Sequence, residues 1–96
     1  MTKSESILET LKTHLPELRE MGVKDLYVFG SVARGESDPH DVDVLVEFTK
    51  VPGLVGFIQI KERLESFLGF PVDLVTQRAC SPRLFRNISK DLKHVA

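Results

Sequence analysis

Apolar positions recur along this chain with two different periods. Ile7, Leu8, Leu11, Leu15 and Leu18 follow helical spacing, with Ser4 or Ser6 placed to cap the start and Gly22 to end it. Pro16 interrupts that pattern and predicts a kink or a split, because it lacks an N–H. Residues 26–29 read as a short strand, and residues 42–48 as the clearest one. There Val42, Val44 and Val46 take one face, and Asp41, Asp43 and Leu45 the other. Residues 54–68 return to the helical period through Leu54, Phe57, Ile58, Leu64, Phe67 and Leu68, and Gly69 ends the run. A third strand follows at 72–76. Ser81-Pro82 then opens a last helix with an apolar face of Leu84, Phe85, Ile88 and Leu92.

Between the first two strands, Gly30-Ser31 is followed by Val32 to Arg34, which predicts the start of a short helix. The glycine, proline and aspartate in "GESDPH" predict a loop after it. The order is helix, strand, short helix, strand, helix, strand, helix. It predicts an α/β (α+β) fold, a small mixed β-sheet with helices packed on one face. The length of 96 residues predicts one domain over 1–96.

Composition narrows the function classes. No stretch is apolar and long enough for a signal peptide or a bilayer span, which predicts a cytoplasmic protein. The net charge of −1 argues against bulk binding to nucleic acid or to an anionic membrane. Charge is uneven, however. From Arg78 onward Arg83, Arg86, Lys90 and Lys93 stand against Asp91 alone, which suits an acidic partner, a phosphate or simply a solvated helix face. Cys80 is the single cysteine, so no intrachain disulfide forms.

The chemistry concentrates in "YVFGSVARGESDPHDVDVLVEF", Tyr27 to Phe48. Asp41 and Asp43 are two apart on a strand, so both carboxylates leave one face. Such a pair about 4 Å apart repels by about 4 kcal/mol at an effective dielectric near 20. A divalent cation reverses that sign, and hard oxygen ligands suit Mg²⁺. Asp73 interrupts the apolar third strand. If that strand neighbours the second, three carboxylates make a two-metal site. Gly30 and Ser31 offer close backbone approach, N–H groups and a hydroxyl to a phosphate. Arg34 adds charge, and Gly35 permits an unusual backbone angle.

The glycine-serine and Asp-x-Asp motifs in this stretch resemble the signature of the DNA polymerase β-type nucleotidyltransferases. They are most similar to the minimal nucleotidyltransferases that serve as antitoxins beside HEPN-domain toxins. "FLGFPVDLVT" resembles the segment that carries the third carboxylate of that family. The resemblance implies the nucleotidyltransferase fold and transfer of AMP from ATP with release of pyrophosphate. It implies that Gly30 and Ser31 hold the triphosphate, with Arg34 and Gly35 beside them. Asp41, Asp43 and Asp73 would ligate two Mg²⁺ ions, and Asp73 would help deprotonate the acceptor.

In the antitoxin branch the acceptor is a tyrosine hydroxyl on the cognate HEPN toxin, in a hetero-oligomer with it. Two alternatives share the fold: an antitoxin that acts by binding alone, and an adenylyltransferase of small molecules. Two departures stand out. Nine residues lie between Ser31 and Asp41, one fewer than the resemblance leads one to expect, and His40 precedes Asp41 where the family commonly has serine. His14, His40 and His94 are expected at the surface.

Overall fold

The computed structural model describes residues 2–77 and 81–95. Helix α1 spans Lys3–Glu20, strand β1 Val23–Phe29, strand β2 Val42–Phe48 and helix α2 Leu54–Leu68. Strand β3 spans Val72–Thr76, helix α3 Pro82–Ser89 and strand β4 Lys93–His94. Cys80 and Arg78, singled out above, lie outside the described residues.

The cap of α1 is Thr2, not Ser4 or Ser6. Its side chain accepts from the Glu5 N–H at 3.1 Å, the threonine-to-glutamate spacing of a capping box. Ser4 instead falls inside the first turn and is buried. Pro16 does not split the helix, which runs through it as one element. Pro16 is exposed, while Ile7, Leu11, Leu15 and Leu18 keep an unbroken buried stripe on the other side. That packing outweighs one missing backbone bond.

Among the described residues the strands form one sheet in the order β3-β2-β1-β4. β2 runs antiparallel to β1 and parallel to β3. The parallel pair needs a crossover, and α2 supplies it. β1 begins at Val23, earlier than the apolar run suggested, with a register irregularity between Val23 and Asp25. β4 is a second departure. Lys93 and His94 pair with Val28 and Tyr27, and the next N–H, of Val95, donates to the Leu26 carbonyl at 2.9 Å.

The sheet mixes parallel and antiparallel pairs, and α1 and α2 pack on one of its faces, as expected. Val28, Val42, Val44, Val46, Val72 and Leu74 meet the helices there. His14 of α1 stacks on Phe67 of α2 with ring centroids 3.7 Å apart, so it is only half exposed. Arg63 of α2 reaches Glu17 of α1 at 2.6 Å. The apolar face of α2 is narrower than its spacing suggested. Ile60 and Leu64 are buried, but Leu54 is 75% exposed and Ile58 43%. In α3 only Ile88 is buried, while Leu84 and Phe85 remain largely exposed. No helix among the described residues is long and apolar enough to cross a membrane.

Candidate active site

The site forms where β1 ends beside the start of β2. Phe29 and Asp43 are register partners, so the residue after Phe29 arrives at the Asp43 side chain. That residue is Gly30, with φ of +73°. A Cβ built there would stand 2.5 Å from Asp43 Oδ2, inside any tolerable contact. Glycine therefore has two reasons to be here: the left-handed backbone and the carboxylate pressed against it.

No helix follows Gly30. Residues 30–35 make a turn closed by bonds from the Arg34 N–H to the Gly30 carbonyl and from the Gly35 N–H to the Val32 carbonyl, each 3.0 Å. Gly35 at φ +75° turns the chain out before a helix can propagate. The buried Val32 pins the turn to the core. Among the described residues no backbone carbonyl accepts from the N–H groups of Ser31, Val32 or Ala33. Such consecutive N–H groups are what an anion-binding nest is made of.

The carboxylates are set by register. Asp43 on β2 and Asp73 on β3 are direct partners across the parallel pair, and Asp41 stands two residues before Asp43. All three belong to the face opposite α1 and α2. Asp43 is half-buried, Asp41 and Asp73 exposed. Desolvation by burial pushes the Asp43 carboxyl above its ordinary pKa. Repulsion from Asp73 and then Asp41 adds to that, and Arg34 opposes it.

Among the described residues, no group of three or more His, Cys, Asp or Glu side chains closes into a ready metal cage. An open row of hard oxygens suits Mg²⁺, which usually takes one or two carboxylates and completes its shell with water and substrate phosphate. The donor set fits the ion.

Gly30, Ser31, Arg34, Asp41 and Asp43 line one cleft of about 270 Å³ together with the loop residues Glu36, Asp38, Pro39 and His40. Asp73 reaches the site from the neighbouring strand and does not line that cleft. Arg34 does not extend freely into it. Its Nε and Nη2 donate to Glu36 Oε2 at 3.0 and 2.9 Å, and its Nη1 to Asp91 Oδ2 at 3.1 Å. Glu36 and Asp91 were not foreseen as its partners, because nothing in the spacing links residue 34 to residue 91.

The loop from Gly35 to Asp41 is also tied to α1. Lys3 Nζ meets Asp38 Oδ1 at 2.7 Å, and Ser4 Oγ donates to the Glu36 carbonyl at 2.5 Å. On the open sheet face, His94 Nε2 lies 2.9 Å from Asp25 Oδ1.

A glycine turn with free N–H groups thus stands against a carboxylate row on two adjacent strands, an arrangement chemically suited to phosphate on one side and a cation on the other. The chain belongs to the nucleotidyltransferase domain family, whose pattern matches residues 8–95, and it is an enzyme of that class. Within it, the chain is 39% identical to the protein adenylyltransferase MntA of Thermococcus cleftensis, over 99% of this chain and 98% of that one. A solved structure described as a candidate minimal nucleotidyltransferase aligns over 100% of this chain and 96% of its own, with 32% identity and a TM-score of 0.79. A tri-AMPylated HEPN toxin of Shewanella oneidensis in complex with an MNT antitoxin gives a TM-score of 0.69 at 22% identity, over 93% of this chain and 71% of that one. This last likeness is one of fold.

Proposed function

We propose that this chain transfers AMP from ATP to a tyrosine hydroxyl of a cognate HEPN-domain toxin and thereby acts as its antitoxin, in a cytoplasmic hetero-complex. The observation that carries the reading is the approach of Asp43 to Gly30. It brings the glycine turn and the carboxylate row to one point, which supports a turn that binds phosphate beside carboxylates that bind a cation, as transfer of a nucleotide needs. The kinship with a protein adenylyltransferase supports AMP as the group and a protein as the acceptor. The solved HEPN–MNT complex supports the class of partner.

In this reading the N–H groups after Gly30 and the Ser31 hydroxyl bind triphosphate oxygens and orient the α-phosphorus. Asp41, Asp43 and Asp73 would hold Mg²⁺, two ions in all. When bound, these supply charge neutralisation of the phosphates and polarisation of the reacting P–O bond. Asp73 accepts the proton of the acceptor hydroxyl. A bond forms between that oxygen and the α-phosphorus, and the bond to the bridging oxygen breaks, releasing pyrophosphate. Arg34, held between Glu36 and Asp91, shapes the turn and places positive charge near Asp43 rather than gripping phosphate.

The test is incubation with α-labelled ATP, Mg²⁺ and a HEPN-domain toxin sought among the products of the neighbouring genes. Label is expected on a toxin tyrosine, and the Asp41→Ala/Asp43→Ala variant is expected to lose both labelling and neutralisation. Neutralisation without label, undiminished in the double variant, would establish binding alone as the mechanism.

A further inference from the structure

Ser4 is the fully buried polar side chain among the described residues, 1% exposed. Burying a hydroxyl is unfavourable unless it is bonded, and its bond reaches 32 residues along the chain, to the Glu36 carbonyl. Glu36 is a junction. Its N–H donates to the Ser31 carbonyl at 3.1 Å, and its carboxylate accepts twice from Arg34. A continuous series of hydrogen bonds therefore runs from the first turn of α1 through Glu36 to Ser31, in the phosphate-binding turn. One residue before Ser4, Lys3 holds Asp38. The loop bridged by these two contacts joins the two halves of the site, Ser31 on one side and Asp41 on the other.

We propose that Ser4 is a positioning residue of the nucleotide site. By fixing the Glu36 carbonyl it holds the 31–36 turn in its binding-competent shape, so that the cost of ordering the turn is met by folding and not by the nucleotide. This rests on the reading of the site given above. Asp38 and Lys3 are exposed, so their pair adds little by itself. The buried hydroxyl is the contact that matters. Without it the Glu36 carbonyl loses its partner and the loop gains alternative conformations, which bound nucleotide must then suppress. The effect falls on KM for ATP and leaves kcat close to wild type, because Ser4 touches none of the reacting atoms. A net hydrogen bond of this kind corresponds to about a tenfold change in affinity.

The experiment compares full-length wild type with Ser4→Ala, Ser4→Thr and Ser4→Cys. Amide hydrogen exchange is read on each chain alone, and KM and kcat for MgATP are read with the partner. Ser4→Ala is expected to speed exchange across residues 31–38, leave β2 and β3 protected and raise KM about tenfold with little change in kcat. Ser4→Thr keeps the hydroxyl and is expected to restore the wild-type KM, with Ser4→Cys between. If Ser4→Ala proves too unstable, the ranking of Ser4→Thr and Ser4→Cys carries the comparison. A lower melting temperature with unchanged KM and unchanged exchange at 31–38 overturns the proposal. Absence of transfer by wild type would instead overturn the function proposed above, and the exchange data would still decide the role of Ser4.

Discussion

Gly30 and Asp43 are in contact in the sense that matters for substitution: a Cβ on the first would lie 2.5 Å from a carboxylate oxygen of the second. The turn and the carboxylate row are therefore one mechanical unit.

Gly30→Ala is expected to disable transfer. The added methyl has to displace Asp43, and a misplacement near 1 Å costs roughly a hundredfold in rate. The left-handed backbone adds about 1–2 kcal/mol of destabilisation. Gly35→Ala is the control. Its φ is also positive, but nothing lies within 4 Å of its Cβ position. It is expected to show the backbone penalty and some rise in KM from strain in the turn, but to keep kcat, because Asp43 is not displaced. Paired measurements of kcat, KM and urea stability check both.

Asp43→Asn is expected to abolish transfer and, without divalent cations, to make the chain more stable. The raised carboxyl pKa sets the sign. A group that binds its proton more tightly when folded adds stability below its unfolded pKa, about 3.9, and that share is lost as pH rises through the higher folded value. Wild type should therefore lose stability over that window relative to Asp43→Asn, and adding Mg²⁺ should narrow the difference at neutral pH. Thermal melts across pH, with and without the cation, supply the measurement.

The Asp38 carboxyl behaves oppositely. A hydrogen bond from Lys3, then the charge of Lys3, hold it below its ordinary value. Its contribution is present above the unfolded pKa and is lost as pH falls through the folded one. Lys3→Ala should remove this share of the acid-side slope, and so should high salt, since both partners are exposed. Denaturation in acid at low and high ionic strength checks it.

Val95 is fully buried beside β1, and its N–H bonds Leu26. Val95→Ala is expected to cost about 2 kcal/mol, by loss of buried methyl groups. Asp25→Ala, which breaks only the exposed contact with His94, is expected to cost less than about 1 kcal/mol. Chemical denaturation distinguishes the two.

What the chain disclosed depended on how local each signal was. The strand at Val42 to Phe48 was legible because two-residue alternation is written in adjacent positions, and it placed Asp41 and Asp43 on the correct face. Gly69 and Ser81-Pro82 marked helix ends for the same reason. The capping signal of Thr2 with Glu5 is also local, but the cap lies two residues before Ser4, the first of the serines that offer an alternative. β4 was missed because two polar residues show no period of their own, and its only evidence is pairing with β1. The bonds of Ser4 to Glu36 and of Arg34 to Asp91 span 32 and 57 residues, and no spacing rule reports such a distance. The short helix expected after Gly30 failed for a local reason, since Gly35 stops it after one turn.

The pairing of Asp43 with Asp73 has a further consequence for the life of the chain. Side chains on a strand alternate faces, so a slip of β3 by one residue would point Asp73 inward and expose Leu74. The carboxylate row exists only once α2 has carried the chain across and β3 has zipped in at one register. A chain paired one residue out of register would fold with the row broken, so the geometry of the site is tied to the register of this one strand pair.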